Sequence, residues 1–514
     1  MRRLLPFLPS LNLFRRRESG PVFAAIVTLI YATVVAFSLL HHDMWRDEVH
    51  CWMVGKNAYG LRELLFGERI YDGHPFLWYY ILHLASRVWD DVRMLKPIAL
   101  ALAASTAYLW MRFVPLPRLL RVLFLGSYFA IFEYTVLSRS YTLGLFLIVL
   151  FLAVYDPRRV RLWPLSAILS ILAATSVYGL FLAFALALPL FLGRIRIWKT
   201  LYPRQFGFYV PREYLPALCL LGLTALLVYA TTPLAVDTWF GRKLQTSVDL
   251  PSLQLASVRF VKGMLPVPNW HLFDFWNSHA FAQDPARQAW VAWGGLGLLV
   301  ACLLAFSSQP LVALAFLVGV AMMAGLQHVK YEGYTRHFGH FFVLFVACAG
   351  LQFKRQPPHR LAWLQILFLL ILIPGVVGGA IATRLSWERP FSSARMAADF
   401  LRAKGMDKRP LIGVGDHMVS GVAGYLDVPI FYMDTHEWGQ SVTFHNRRDL
   451  NPAALVNDTV RSISAQTEKL PIIVSNVDCC VTTQKDFSIV EVFHAPPTVV
   501  ADERLRLYEV QPPK

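Results

Sequence analysis

The stretch PVFAAIVTLIYATVVAFSLL, residues 21–40, contains twenty consecutive residues without a charge. A helix needs about 20 apolar residues to cross the hydrocarbon core of a bilayer. The next twelve residues, HHDMWRDEVHCW at 41–52, hold two Asp, one Glu, one Arg and three His. The two segments together predict a membrane span that opens directly into a strongly ionisable loop.

The whole chain has the composition of a polytopic membrane protein. Of its 514 residues, 56% are hydrophobic and 16% are charged, whereas soluble domains carry about 25% charged residues. The formal net charge of +16 is attributed to basic cytoplasmic loops, which are enriched in Lys and Arg, and no nucleic-acid partner is predicted. No CxxC pair occurs among the six cysteines, so neither a disulfide framework nor a zinc site is predicted.

About eleven membrane-spanning helices are predicted before residue 384. The apolar run 162–193 is too long for one span and is predicted to turn near Ser176–Gly179, and the run 288–329 is predicted to break at SSQP, residues 307–310. With each long run divided in two, the predicted spans are 21–40, 95–112, 118–138, 140–155, 162–193, 214–236, 288–329, 338–353 and 361–383.

Loop charges decide whether the thirteen-residue apolar segment 74–86 also crosses the membrane. If it does not, the inside segments hold nineteen Lys or Arg and three acids, and the outer segment 41–94 holds six Lys or Arg and eight acids. If it does, fourteen of the nineteen basic residues move outside. The positive-inside rule favours an interfacial 74–86 segment. It places the loops 41–94 and 237–287 and the tail 384–514 on the outer face, and we expect this to be the periplasmic or extracellular side of a bacterial inner or plasma membrane.

Residues 384–514 have the alternating pattern of a small soluble α/β domain. PLIGVG (410–415) and PIIVSN (471–476) read as buried strands, and MVSGVAGYL (418–426) reads as a helix between them, which favours a mostly parallel sheet. The predicted organisation is a transmembrane domain at 1–383 followed by this α/β domain, whose fold alone assigns no activity.

Adjacent carboxylates begin an amphipathic segment in the first outer loop. A carboxylate at a helix start is favoured by the helix dipole, so Asp47 and Glu48 have a purely structural interpretation. A carboxylate held against a partly dry aromatic surface also acts as a general base. The second interpretation is favoured because His50 and His74 occupy the same loop, beside the apolar HPFLWYY at 74–80.

Cations gather at the predicted outer ends of several spans. Arg139 lies in VLSRSYTLG (136–144), and Lys330, Arg336 and His337 lie in KYEGYTRHFGH (330–340). A single Arg at a span end often only reaches the lipid headgroups. Several cations on one face instead predict an anion site, and guanidinium suits phosphate. Tyr141, Tyr178, His50 and His74 are the further predicted substrate-binding residues, and no metal ligands are predicted.

The order of these motifs resembles the GT-C superfamily of glycosyltransferases that use polyprenyl-phosphate-linked sugars. That superfamily includes the protein O-mannosyltransferases and the lipid A aminoarabinose transferases. The resemblance covers about residues 1–383 and rests on RDE at 46–48, HPFLWYYIL at 74–82, SRSYTLGLFL at 138–147 and YTRHFGHFF at 334–342. Many members have Pro-Pro where this chain has His74–Pro75, and an Asp where it has Thr142.

The resemblance implies transfer of a sugar from a polyprenyl-phosphate donor to an acceptor hydroxyl on a cell-envelope lipid, glycan or protein. It implies Asp47 as the general base, and Glu48 as a residue that orients Asp47, binds the acceptor or contacts a metal. No cofactor is required, and a divalent cation stays open. Membrane lipids surround the donor, which enters from the bilayer.

Two other function classes fit the composition. A transporter or flippase of lipid-linked substrates also has many spans, but transporters typically show internal repeats and charges at mid-membrane. Here no repeat is apparent, and the charges lie at one predicted face. A non-catalytic sensor with a periplasmic domain has no need for carboxylates and cations that converge.

Overall fold

The computed structural model describes residues 20–67, 73–194, 208–209, 211–231, 247–282, 284–356, 361–444 and 455–513. Within these ranges the chain is mostly helical and ends in a region built around one sheet. The basic segment 1–19 and part of the predicted loop 237–287 lie outside the described residues. The helices of the first region are α1 (Pro21–His41), α2 (Arg46–Asn57), α3 (Leu61–Phe66), α4 (Leu77–Ser86), α5 (Leu95–Phe113), α6 (Arg118–Leu125), α7 (Ser140–Val154), α8 (Leu162–Ala173), α9 (Val177–Phe191), α10 (Tyr214–Thr231), α11 (Leu250–Met264), α12 (Pro285–Phe306), α13 (Pro310–Val329), α14 (Thr335–Arg355) and α15 (Ala362–Glu388).

Six described helices are long and apolar enough to cross a bilayer, namely α1, α5, α10, α12, α13 and α15. The apolar helices α7, α8 and α9 have between 10 and 17 residues. The chain is therefore an integral membrane protein, but the count of eleven spans is not confirmed.

One predicted span is not a continuous helix. In the stretch 118–138, α6 ends at Leu125, and a separate π-helical turn covers Phe129–Glu133. A π-helical turn leaves the regular backbone pattern and frequently occurs at functional sites. The predicted span 338–353 lies within α14, which is buried among its neighbours from Thr335 to Phe353.

The predicted breaks agree with the structure. α12 ends at Phe306 and α13 begins at Pro310. The turn between α8 and α9 lies just before Val177, where the Ser176 hydroxyl accepts the Gly179 N–H at 2.9 Å. α4, within the segment 74–86, has ten residues and is about 15 Å long; the interfacial position of this segment stays a prediction.

A seven-stranded mixed sheet forms the core of the C-terminal region. The elements of this region are α16 (Ala394–Ala403), β3 (Leu411–Val414), α17 (Asp416–Leu426), β4 (Ile430–Tyr432), β5 (Glu437–Gly439), α18 (Val456–Thr467), β6 (Ile472–Ser475), β7 (Thr482–Thr483), β8 (Ser488–His494) and β9 (Arg506–Gln511), and a separate two-stranded pair earlier in the chain is β1 (Arg159–Val160) with β2 (Phe208–Tyr209). The strand order is β5-β4-β3-β6-β9-β8-β7, with β3 parallel to both β4 and β6 and the four other pairings antiparallel. The expectation of a mostly parallel sheet was wrong, because β7, β8 and β9 pair as antiparallel neighbours.

The loop after β6 contains a bond that the cysteine pattern does not predict. Cys479 and Cys480, which are adjacent in the chain, form a disulfide.

The C-terminal region packs directly on α2. Lys56 Nζ lies 2.7 Å from Asp427 Oδ1, and Arg46 Nη1 lies 2.7 Å from Asp502 Oδ1. A Cβ on Gly424 of α17 would meet the Val49 side chain at 2.0 Å, so glycine is needed for this close approach. The loop 41–94 and the C-terminal region therefore lie on the same side of the molecule.

Candidate functional site

Glu48, the second of the adjacent carboxylates, is fully enclosed. Its side chain is 0% exposed and accepts hydrogen bonds from the backbone N–H of Ser138 at 2.6 Å and of Trp45 at 3.2 Å. Oε2 of Glu48, which accepts the Trp45 N–H, also lies 2.7 Å from His42 Nε2. Glu48 thus fastens the start of α2 to the segment that precedes α7, and this arrangement fits an orienting role for the neighbouring Asp47.

Asp47 points elsewhere, because consecutive residues of a helix are about 100° apart around its axis. Its side chain is 29% exposed, and Oδ2 lies 3.4 Å from Arg336 Nη2 and 3.6 Å from Arg139 Nη1. Burial alone would raise the pKa of Asp47, but the positive charges of Arg139, Arg336 and Arg46 outweigh burial and lower it. Asp47 is therefore ionised at neutral pH.

Arg139 is fixed by the backbone of α2 as well as by the carboxylate. Its Nη1 donates a hydrogen bond to the main-chain oxygen of Asp47 at 2.5 Å. Its side chain is 8% exposed. Arg139 is the residue immediately before α7, so it brings one end of that helix against the first turn of α2.

Arg336 lies in a cage of aromatic rings at the first turn of α14. Its guanidinium carbon is 5.0 Å from the ring centre of Trp45, 5.3 Å from that of Trp276 and 4.9 Å from that of Tyr334. Cation–π contacts of this kind hold a guanidinium without neutralising its charge. Arg336 is therefore a positioned cation. Its contact with Asp47, at 3.4 Å, is long enough for a ligand anion to replace it.

Sequence reasoning did not identify Trp276 and Glu133. Trp276 Nε1 donates to Glu133 Oε2 at 3.0 Å, and the Tyr128 hydroxyl donates to the same oxygen at 2.7 Å. Glu133 is thus a buried anchor that fixes one wall of the Arg336 cage. A lone carboxylate within the apolar run 118–138 was the available signal, because intramembrane charges mark functional sites by default.

Tyr141, Tyr178 and His337 form one aromatic group together with His340. The His340 ring stacks on Tyr178 with 4.6 Å between centroids and lies 5.0 Å from Tyr141. His337 lies 5.4 Å from Tyr178, and its Nδ1 accepts the Tyr334 N–H at 2.9 Å. His337 faces aromatic rings and a backbone donor here, so its predicted contact with the donor phosphate stays a prediction.

Two adjoining cavities lie beside this group. The first is a narrow crevice lined by His74, Arg139, Cys51 and Thr175 among others. The second has a volume of about 10 Å³, about the room of one water molecule, and is also lined by Thr175. The residues of the second cavity are Tyr134, Tyr141, Gly144, Leu145, Leu172, Thr175, Ser176, Gly179, Leu182, His340 and Val343. The two spaces thus meet at Thr175, between Arg139 and the apolar side chains of neighbouring helices.

The two remaining predicted residues differ in position. His50 helps to lower the pKa of Asp47. The His50 ring also lies 5.4 Å from the ring of Phe444 in the C-terminal region. Lys330 directly follows α13 and is half-buried. Within the described residues, its ammonium group makes no ion pair with Asp47, so the structure does not bring Lys330 into the cluster. The described residues also contain no group of three or more His, Cys, Asp or Glu side chains that could hold a metal ion.

Because Glu48 is enclosed and Asp47 is partly exposed, we expect Glu48→Gln to lower stability and Asp47→Asn to lower activity. Glu48→Gln places an NH₂ group among donors in a closed site, so we expect a loss of about 1–3 kcal/mol of stability, as for a buried group that loses its partner. Thermal unfolding in detergent measures this loss. Unchanged stability of Glu48→Gln would contradict the fastening role.

No protein-family model matches the chain, and no curated protein shows detectable similarity to it, so the geometry of this cluster carries the functional argument.

Proposed function

We propose that the protein is a glycosyltransferase that moves a sugar from a polyprenyl-phosphate donor to an acceptor hydroxyl, with Asp47 as the general base. One observation carries the proposal. A partly exposed, ionised carboxylate lies between two nearly buried guanidinium groups, at 3.4 and 3.6 Å. Arg139 also lines a narrow crevice, and this crevice shares Thr175 with a small cavity among apolar side chains.

The reaction needs a base on the acceptor and positive charge on the departing phosphate. Asp47 takes the proton of the acceptor hydroxyl as the acceptor oxygen bonds to the anomeric carbon of the sugar. The bond from that carbon to the phosphate oxygen breaks, and its electron pair leaves with the polyprenyl phosphate. Arg139 and Arg336 stabilise the developing charge, as fixed cations do in other transferases.

The resting ion pairs give the donor a second role. While the site is empty, Asp47 is the shared anion of Arg139 and Arg336, and its lowered pKa makes it a weak base. A donor phosphate beside these arginines partly neutralises the positive charge that acts on Asp47. The pKa of the Asp47 carboxylate therefore rises when the donor binds. Donor binding thus raises the basicity of Asp47 before the acceptor reacts.

Turnover by the purified protein tests the proposal. A panel of radiolabelled polyprenyl-phosphate sugars is incubated with the protein in detergent and with cell-envelope extract, and labelled product is separated from donor. A glycosyltransferase consumes one donor and labels an acceptor. Movement of intact donor across proteoliposomes, without consumption, identifies the transporter or flippase instead.

The proposal places the cluster and the C-terminal region on the periplasmic face. In a Cys219→Ser background, which removes an exposed native thiol, we expect a membrane-impermeant maleimide to label Val88→Cys and Lys485→Cys in intact spheroplasts. Both positions are exposed. Ser308→Cys, between α12 and α13, is expected to react only after lysis. The reverse pattern would show the opposite orientation.

A further inference from the structure

The carboxyl ends of three parallel strands meet at one edge of the C-terminal sheet. The chain passes from β3 to β4 on one side and afterwards to β6 on the other side. A reversal of strand order of this kind generally opens a crevice at the carboxyl ends, where α/β proteins bind their ligands. The crevice expected from this topology is bordered by Gly415, which follows β3, and by Asn476, which follows β6.

The backbone of this crevice is held in a fixed shape. Gly415 has a φ of 80°, and a Cβ at this position would lie 2.7 Å from Asn476 Oδ1. Asp434 Oδ2 accepts the N–H groups of Gly415 at 3.1 Å and of Asp416 at 2.9 Å. The imidazole of His417 is 35% exposed at the same edge and pairs with the Asp416 carboxylate at 3.0 Å.

A buried hydroxyl at this edge has no partner among the described residues. Tyr432, the last residue of β4, is 2% exposed, and its hydroxyl forms no hydrogen bond with any described residue. Its ring lies beside β3, where a Cβ added to Gly413 would be 3.3 Å from Tyr432 Cδ1. An unsatisfied buried polar group costs free energy, and a ligand hydroxyl in the crevice would provide the missing partner.

One side of the crevice is joined to the first turn of α2. Asn476 Nδ2 donates to the main-chain oxygen of Asp502 at 3.2 Å. The Asp502 carboxylate accepts from Arg46 Nη1 at 2.7 Å, and Arg46 immediately precedes Asp47. Glu503 also accepts the Arg46 N–H at 3.1 Å. The β6 end of the crevice therefore lies close to the proposed base.

His417, on the β3 side of the crevice, is connected to His50 of α2 through the ring of Phe444. The ring of Phe444 lies 6.3 Å from His417 and 5.4 Å from His50. His50 in turn acts on the charge of Asp47. Two independent series of contacts thus connect this edge of the sheet with Arg46 and His50, which flank Asp47 on α2.

We infer that this crevice binds the acceptor, and that the acceptor is a neutral carbohydrate; the inference rests on the proposed transfer reaction. His417 and Asn476 offer hydrogen-bonding groups that suit sugar hydroxyls. The half-buried ring of Phe444 suits the apolar face of a sugar ring. The carboxylates of Asp434 and Asp502 nearby disfavour an anionic acceptor, because like charges at an interface repel.

Binding of neutral glycans to the full-length protein in detergent tests the inference without requiring turnover. A glycan array of neutral oligosaccharides, with sulfated glycans as the anionic contrast, identifies the best probe, and titration gives its Kd. We expect His417→Ala and Asn476→Ala each to weaken binding about tenfold, the effect of one lost hydrogen bond. His417→Gln keeps a donor and is expected to recover part of the loss.

His494→Ala is the matched control. His494 is also 35% exposed and pairs with a carboxylate, Glu491, at 3.3 Å, but it lies two strands away from β6. We expect it to bind the probe like the wild type. A wild type that binds no neutral glycan, binding unchanged in both crevice variants, or preference for sulfated glycans overturns the inference. Glycan binding without donor turnover contradicts the proposed function instead.

Discussion

Replacing Asp47 by Asn is expected to abolish sugar transfer while leaving the protein folded. The amide has the size of the carboxylate but cannot accept the acceptor proton, and a general base contributes roughly 10²–10⁴-fold to the rate. Some stability is lost, because the arginines that lower the pKa of Asp47 also make its ionised form stabilise the fold, so thermal unfolding is measured beside turnover. Arg139 also keeps its hydrogen bond to the main-chain oxygen of residue 47.

The kinetic pattern of this variant separates a base from a structural charge. Without the Asp47 carboxylate, Arg139 and Arg336 no longer pair with an anion of the protein, so both attract the donor phosphate more strongly. We therefore expect kcat to fall and the donor KM to stay constant or decrease. Asp43→Asn is the matched control, since Asp43 lies in the same loop and pairs with Arg395 at 3.2 Å, outside the cluster. Near wild-type turnover by Asp47→Asn would remove Asp47 from the mechanism.

Replacing Arg336 by Ala is expected to impair use of the donor more than use of the acceptor. A charge-assisted hydrogen bond is worth about 1.5–3 kcal/mol, which corresponds to a roughly ten- to hundredfold effect. Varying the donor concentration at a fixed acceptor concentration measures it. Arg336→Lys is expected to recover little, because a Lys cannot reproduce a planar guanidinium among three aromatic rings.

Arg259 provides the control for loss of a buried arginine. It is as buried as Arg336, and it donates to the main-chain oxygen of Gln327 at 3.0 Å and pairs with Glu332. Arg259→Ala is expected to reduce stability without changing the donor dependence. If Arg336→Ala leaves the donor dependence unchanged and Arg139→Ala alters it, the phosphate site lies at the start of α7 instead.

The local pattern of residues was sufficient for several features of this protein. Hydropathy identifies an integral membrane protein, because the cost of burying polar groups in lipid acts on each segment separately. It also identifies the break at 307–310 and the turn before α9. Hydropathy is misleading at 118–138. The stretch is apolar enough for one continuous span, but its α-helix ends at Leu125.

The adjacent carboxylates illustrate what depends on tertiary contacts. Asp47 and Glu48 are equivalent by residue type and position, and the sequence does not distinguish a base from a structural charge. The structure encloses Glu48 between the N–H groups of Trp45 and Ser138 and leaves Asp47 partly exposed beside Arg139. Different neighbours around the axis of α2 therefore give the two carboxylates different chemistry.

Composition and motif order are enough to identify the membrane character of the chain, the ionisable loop after the first apolar segment and most members of the candidate site. Which of these residues meet depends on tertiary packing. Asp47 and Arg336 are 289 positions apart, and the Trp276 wall of the arginine cage comes from a segment without any local signal. Local periodicity reports which face of one segment is apolar. Contacts between distant segments depend instead on how all the faces pack together, including the C-terminal sheet against α2.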